Sequence, residues 1–494
     1  MSRIKQFAGQ TAIYGGGHIL SRVVYYLLIT SFLTHILDDQ QVEFGIFGSF
    51  YAYVSVLIIL FSFRLDTALF RYGSDDLLKK NAFSTSFTAI IFIALLVILG
   101  GTLFSKQLAT ITTVPDRHIY VRWFSYILAF DVISLIPYAK FRLDNRVKAF
   151  AICKVLNILI SSLLILFFLW VLPQLSPSLQ SIFPQYPYLI DYVFISNLIA
   201  SFLILVILFS LSKGMKLTID WPLLKKMIYY VWPLVIVGIA NSFIQYFAVI
   251  LQEKFLIGSS ADNLADGGVY DSSRRIASLF AMFTTAFNYA AEPFFFNNAT
   301  KEDRKLYYGK ICHLFTLVGG VVILGMFFTL DIIQYIVDTN YRESIYVIPI
   351  LLIAYLLLGI YYNIGIWYKL SDKTTYGAII STIGVVFFLI INVIFLPRYG
   401  YVTSAWATLF TYLLMLSIAY LLGQKHYPIS YPVSKLIINI AIIAVVIISM
   451  SNIKDLMPNL AYYLLSAVLF LAYLWYVYNA EKEEWNNILR FKKN

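Results

Sequence analysis

Runs of apolar residues, each closed by a short break of charge, proline or glycine, follow one another along the whole chain. A helix crosses the hydrocarbon of a bilayer with about 20 consecutive, mostly apolar residues. Runs of that length occur at 10–37, 44–63, 82–105, 118–138, 149–172, 189–212, 228–252, 270–291, 311–332, 344–367, 376–397, 400–423, 433–451 and 459–479. The pattern predicts an all-α polytopic membrane protein of about fourteen transmembrane helices. The longest connections on one side, 173–188 and 253–269, are too short for a separate soluble domain, so function must reside among the helices.

Composition agrees, with 60% hydrophobic and only 13% charged residues in 494. The net charge of +11 would suggest nucleic acid if the cations formed one patch. Instead they alternate along the chain. The N-terminus, the even-numbered connections and the C-terminal tail hold 26 of the 37 Lys and Arg residues, and the opposite side holds six. Excess Lys and Arg mark cytoplasmic loops, which places both termini in the cytoplasm and argues against a nucleic-acid partner. Cys153 and Cys312 lie in or beside apolar segments without a partner at metal-ligand spacing and read as packing residues. The first apolar run is too long for a signal peptide and lacks a small-residue cleavage site, so it is expected to remain as the first span.

The two halves resemble one another. FRLDNR at 141–146 and YKLSDK at 368–373 share the order aromatic, cation, Leu, polar, Asn or Asp, cation. Shifting the first five spans by the same 227 residues lands on spans seven to eleven. Six spans is an even number, so duplicated copies insert the same way up, related by an axis along the membrane normal. The expected architecture is a lobe at 1–215, a pseudo-symmetric second lobe at 216–430, and a C-terminal helix pair with its tail at 431–494.

Five cations fall inside spans or near their ends: Arg22, Arg122, Lys154, Arg274 and Arg275. A charge at the centre of a spanning helix costs roughly 2.5–3.5 kcal/mol, so each needs water, a carboxylate or a ligand. In the first span Arg22 follows His18 by four residues, on one helix face, behind the bendable Gly15, Gly16 and Gly17. That combination suits a moving, anion-binding helix, although Arg22 can also snorkel to the headgroups. Arg274 and Arg275 open the eighth span about 100° apart. Guanidinium groups bind phosphate in a fork, which suits a pyrophosphate; alternatively Asp271, one turn earlier, pairs with them. Lys154 lies where it can snorkel, and Arg122 is read as facing a polar interior. Asn241 and Gln245, one turn apart in span seven, either bind ligand or join helices by hydrogen bonds. Asp131 is a candidate ion-coupling carboxylate, and so is Glu292, whose neighbour Pro293 is expected to end its helix. No metal site is expected. The motifs HExxH, Walker A, GxSxG and CxxC are absent, so the chain does not read as an enzyme. Asp38 and Asp39 are like an acidic loop of lipid-linked sugar transferases, but a solvated turn is far commoner and the lack of large loops argues for it.

FRLDTALFRYGS (63–74), FRLDNRVKAFAICKVLN (141–157) and YDSSRRIASLFAMFTTAFNYAAEPF (270–294) resemble the polysaccharide-exporter branch of the multidrug/oligosaccharidyl-lipid/polysaccharide (MOP) superfamily, the Wzx-type flippases. The resemblance covers essentially the whole length. It implies alternating access that carries an undecaprenyl-diphosphate-linked glycan from the cytoplasmic to the periplasmic leaflet of a bacterial inner membrane, through a cationic cavity between two lobes. This would serve surface polysaccharides such as lipopolysaccharide. It also implies that the extra helix pair can groove the polyprenyl tail, that a proton or sodium gradient can drive the cycle without a resident cofactor, and that a polysaccharide polymerase is a partner. An ion-coupled small-molecule antiporter of the same superfamily is the alternative, and a membrane-embedded glycan polymerase or transferase a more distant one.

Overall fold

A computed structural model describes residues 29–37, 40–73, 78–112, 114–144, 146–212, 217–297, 304–371 and 373–480. The main helices are α1 (Gln41–Ser62), α2 (Leu65–Tyr72), α3 (Lys79–Leu103), α4 (His118–Leu143), α5 (Val147–Leu166), α6 (Leu189–Leu211), α7 (Trp221–Tyr246), α8 (Ala248–Phe255), α9 (Ser260–Asn297), α10 (Arg304–Phe328), α11 (Ile348–Ile364), α12 (Thr374–Tyr399), α13 (Val402–His426), α14 (Val433–Ile453) and α15 (Asn459–Ala480). No strand occurs among the described residues. In lipid this is what the backbone requires, since a helix satisfies its own N–H and C=O groups. Twelve helical segments among the described residues are long and apolar enough to cross a membrane. They match the second to seventh and ninth to fourteenth runs read from the sequence. The first run lies mostly outside the described residues, with 29–36 helical.

The eighth run differs from expectation. It is part of α9, a helix of 38 residues that starts ten residues before 270 and continues past Pro293. At 1.5 Å per residue it is about 57 Å long, well beyond the roughly 30 Å hydrocarbon layer. Its first part, SADNLADGGVYDS, looks like a loop because it is polar. Yet Tyr270, Asp271, Ser272 and Ser273 are buried, packed against other helices rather than solvated. Proline costs a helix one hydrogen bond and a kink, which neighbouring helices tolerate within membranes.

Helix contacts repeat between the halves. In the first, α3 packs on α4, α4 on α6, α5 on α6 and α1 on α4. In the second, α10 packs on α11, α11 on α13, α12 on α13 and α9 on α11. The matched segments 141–146 and 368–373 make the same turn. Arg146 N–H donates to the Phe141 carbonyl at 2.8 Å, and Lys373 N–H donates to the Tyr368 carbonyl at 2.8 Å. In both, the leading aromatic is buried and the flanking cations lie near a helix terminus, where a six-residue bond closes the orphaned carbonyls.

The bundle has a cation-rich end, with Lys79, Lys140, Lys225 and Lys373, and a cation-poor end where α1 and α9 begin. At the cation-poor end the halves meet along α1 and α9. A Cβ on Gly45 would lie 2.0 Å from the Leu264 carbonyl oxygen, and one on Gly268 would lie 2.6 Å from that of Gln41. Between membrane helices there is little hydrophobic gain, so contact depends on small residues that let backbones approach. Toward the cation-rich end the burial fades. Glu43 to Phe50 of α1 are all buried, whereas Tyr53 to Ile59 are only partly so. There α7 covers the first half, with Arg71 over the Tyr230 ring at 4.4 Å. The C-terminal pair α14 and α15 packs on α10, where Asn439 donates to the Thr316 carbonyl at 2.9 Å and accepts from Tyr473 at 2.7 Å.

Candidate functional site

The seam between α1 and α9 brings two of the five intramembrane cations together. Asp271, Arg274 and Arg275 follow one another at helical spacing, so one carboxylate reaches both guanidinium groups. Arg274 Nε donates to Asp271 Oδ1 at 2.8 Å, and Arg275 Nε donates to Oδ2 at 2.6 Å. All three side chains are buried, at 5%, 10% and 1% exposure for Arg274, Arg275 and Asp271. Arg274 lies over Tyr246 of α7, with its guanidinium carbon 4.9 Å from the ring centre. Arg275 lies against Phe44 and Phe47 of α1, at 5.6 and 4.6 Å. All three rings supply a negative π face that favours a desolvated cation. Gly48 lets α1 close over this cluster, since a Cβ there would be 3.1 Å from Asp271 Oδ2. Among the described residues, two guanidiniums share this one carboxylate.

The other sequence candidates are placed elsewhere. His18 and Arg22 lie outside the described residues, as do Asp38 and Asp39. The side chain of Glu292 lies outside the described part of α9. Arg122 does not join Arg274 and Arg275; its Nε donates to Ser105 at 3.0 Å, within the first half. Asp131 is not its partner. Asp131 accepts from Ser201 of α6 at 2.8 Å, with Lys154 of α5 as its electrostatic neighbour, in a polar cluster between α4, α5 and α6. Lys154 lies 3.8 Å from the centre of the Tyr138 ring. Asn241 and Gln245 are partly buried on α7, the helix that supplies Tyr246. The Asn241 amide oxygen is buried without a hydrogen-bond partner among the described residues.

Sequence reasoning missed a second ionic cluster at the cation-poor end. Arg117 donates both terminal nitrogens to Glu43 at 2.7 Å, and one of them also to the Tyr120 hydroxyl at 3.2 Å. Tyr120 donates to Asp191, which also accepts from the Tyr188 backbone at 3.1 Å. Burial works against the Arg117 charge, but the forked bond to Glu43 outweighs it and holds its pKa above the ordinary arginine value. Glu43 and Arg117 are 74 residues apart, so no helical spacing signals the pair. The cluster ties the starts of α1, α4 and α6 together just beside the seam. Tyr120→Phe removes the hydroxyl that links Arg117 to Asp191 and leaves a largely buried carboxylate short of one donor. We expect a loss of about 1–3 kcal/mol, seen as a lower melting temperature in detergent with unchanged helix content.

Comparison with known proteins decides the family. The sequence model of the polysaccharide biosynthesis proteins matches residues 10–299, more than half of the chain. The chain belongs to that family. No curated protein matches the sequence significantly. Among solved structures, this polysaccharide biosynthesis protein is similar to the lipid II flippase MurJ in its inward closed conformation, at 14% identity and a TM-score of 0.60. That match covers 97% of this chain and 99% of MurJ. It is also similar to a multidrug resistance MATE family transporter of the MOP superfamily, inward-facing at 11% identity and a TM-score of 0.62, covering 81% of this chain and 94% of that one. The outward-facing form of a MATE family transporter matches at 11% identity and a TM-score of 0.58, covering 84% and 95%. At these identities the likeness concerns the fold. The lipid II flippase accounts for nearly the whole polysaccharide biosynthesis protein, whereas the MATE transporters leave roughly a sixth to a fifth of it uncovered.

Proposed function

We propose that this protein flips a polyprenyl-diphosphate-linked oligosaccharide across a bacterial inner membrane by alternating access, for surface polysaccharide assembly. The observation that carries the reading is the pair of guanidiniums sharing one carboxylate at the seam between the two halves. A diphosphate offers several anionic oxygens, and arginine forks match them better than a single carboxylate does. In the proposed resting state, Asp271 holds Arg274 and Arg275 in place while the seam is shut. Both termini are taken as cytoplasmic, so the seam closes the extracytoplasmic side and leaves the protein open inward. An arriving headgroup competes with Asp271 for the arginines. Opening of the α1–α9 seam then releases the glycan on the far side. His18, Arg22, Asn241 and Gln245 are proposed to extend the same headgroup site, whereas Arg122, held by Ser105 within the first half, lies apart from it. Asp131 and Glu292 are proposed to couple the cycle to a proton or sodium gradient, with a polysaccharide polymerase downstream as partner.

The test is surface glycan display in cells that depend on this protein. Arg275→Ala is expected to abolish display while the membrane level of the protein stays the same. Normal display in that variant at wild-type level removes Arg275 from the transport site.

A further inference from the structure

Away from the seam, α1, α3 and α4 enclose an apolar groove of about 510 Å³, lined by residues that include Leu57, Phe61, Val97, Gly100, Phe124 and Leu128. It exists because of two adjacent glycines with opposite surroundings. Gly101 presses on α4, where a Cβ would collide with Ser125, whereas a Cβ on Gly100 would meet nothing within 4 Å. The close approach at Gly101 fixes the distance between α3 and α4, and the missing side chain at Gly100 leaves the space beside it. Leu96, Leu108 and Ile111 line the groove and are strongly exposed, so it opens to the outside of the bundle.

A groove at this depth of a membrane-spanning bundle faces hydrocarbon rather than water. Its α1 wall runs from Phe50 to Phe61, roughly 16 Å at 1.5 Å per residue, about half of the hydrocarbon thickness. That is the depth of one leaflet, which suits an acyl chain better than the longer tail of a polyprenyl lipid. Charge marks its cation-poor mouth. Arg122, next to the lining residue Val121, is held through Nε by Ser105, and no carboxylate lies within ion-pair reach of it among the described residues. Lys106, exposed in the same short helix as Leu108, adds a second cation. A guanidinium anchored at Nε still presents its two terminal nitrogens as a phosphate fork.

We infer that this groove binds one acyl chain of an anionic phospholipid, with its phosphate held by Arg122 and Lys106. The site is separate from the seam, and the inference does not rest on the proposed transport activity.

Purified full-length protein, delipidated and then mixed with phosphatidylglycerol, phosphatidylcholine or polyprenyl phosphate, tests it by native mass spectrometry and thermal unfolding. Wild type is expected to retain phosphatidylglycerol in preference to phosphatidylcholine and to melt higher with it. Gly100→Leu puts a side chain into the groove at a position where an added Cβ meets no atom within 4 Å, and is expected to lose that bound lipid. Arg122→Gln is expected to lose the preference for phosphatidylglycerol over phosphatidylcholine. Gly100→Ala, which adds one methyl to the open space, keeps the fold and serves as its control. Equal lipid retention in Gly100→Leu and wild type, an unchanged preference in Arg122→Gln, or displacement of phosphatidylglycerol by polyprenyl phosphate overturns the inference.

Discussion

Asp271→Ala is expected to cost this protein most of its folded yield. The variant leaves Arg274 and Arg275 buried against Tyr246, Phe44 and Phe47 with the shared carboxylate gone. Removing one side of a buried ion pair costs roughly 3–5 kcal/mol, because the charge that stays behind cannot return to water. That is a large share of the about 5–15 kcal/mol that holds a typical folded domain. Thermal unfolding in detergent measures it, as a sharply lowered midpoint or as aggregation on size exclusion. The companion variant separates folding from function. Replacing Asp271, Arg274 and Arg275 together by Ala, Met and Met removes the charges with the carboxylate, and buried ion clusters exchanged for apolar residues often lose no stability. This triple variant is expected to melt near wild type and to display no glycan. An Asp271→Ala protein as stable as wild type contradicts the buried cluster as described.

Gly45→Ala is expected to hold the seam open. A single methyl at this position lies 2.0 Å from the Leu264 carbonyl oxygen, and a backbone carbonyl cannot rotate away as a side chain would. Overpacking a tight contact typically costs about 1–3 kcal/mol, which here falls on the sealed state alone and shifts the balance toward the open one. Spin labels at Gln40 and Ser260, both exposed at the cation-poor end, report the separation of α1 and α9. The expected result is a longer mean distance in Gly45→Ala than in wild type, together with weakened glycan display. An unchanged distance distribution shows that the contact relaxes locally and that the seam does not govern the cycle.

The fold was largely legible in the sequence because lipid imposes a simple rule, that spanning helices must be long and apolar. Run lengths alone located the twelve described spans that lie between α1 and α15, α9 excepted. The duplicated turn was legible for a similar reason: Phe141 and Tyr368 are buried, and their following cations cap matching termini at the membrane edge. What failed was α9. Hydropathy treats Asp262, Asp271, Ser272 and Ser273 as solvent-seeking, whereas the latter three are buried between helices, where arginines satisfy Asp271, a carbonyl satisfies Ser272 and the Ser344 hydroxyl satisfies Ser273. The pairing of Asp271 with Arg274 and Arg275 was legible as an alternative, since spacings of three and four residues put them on one face. The Glu43–Arg117 pair and the tight crossing of Gly45, Gly48 and Gly268 were not, because they join residues far apart in sequence.

The central claim is that guanidinium groups at the seam carry a diphosphate headgroup across the bilayer, and purified protein in liposomes tests it most directly. A fluorescent polyprenyl-diphosphate-linked oligosaccharide, placed in both leaflets, becomes accessible to an external quencher as it is flipped. The account predicts nearly complete quenching with wild type and only the outer-leaflet fraction with Arg275→Gln of equal stability. Equal quenching by the two proteins, or none by wild type under any imposed proton or sodium gradient, contradicts it.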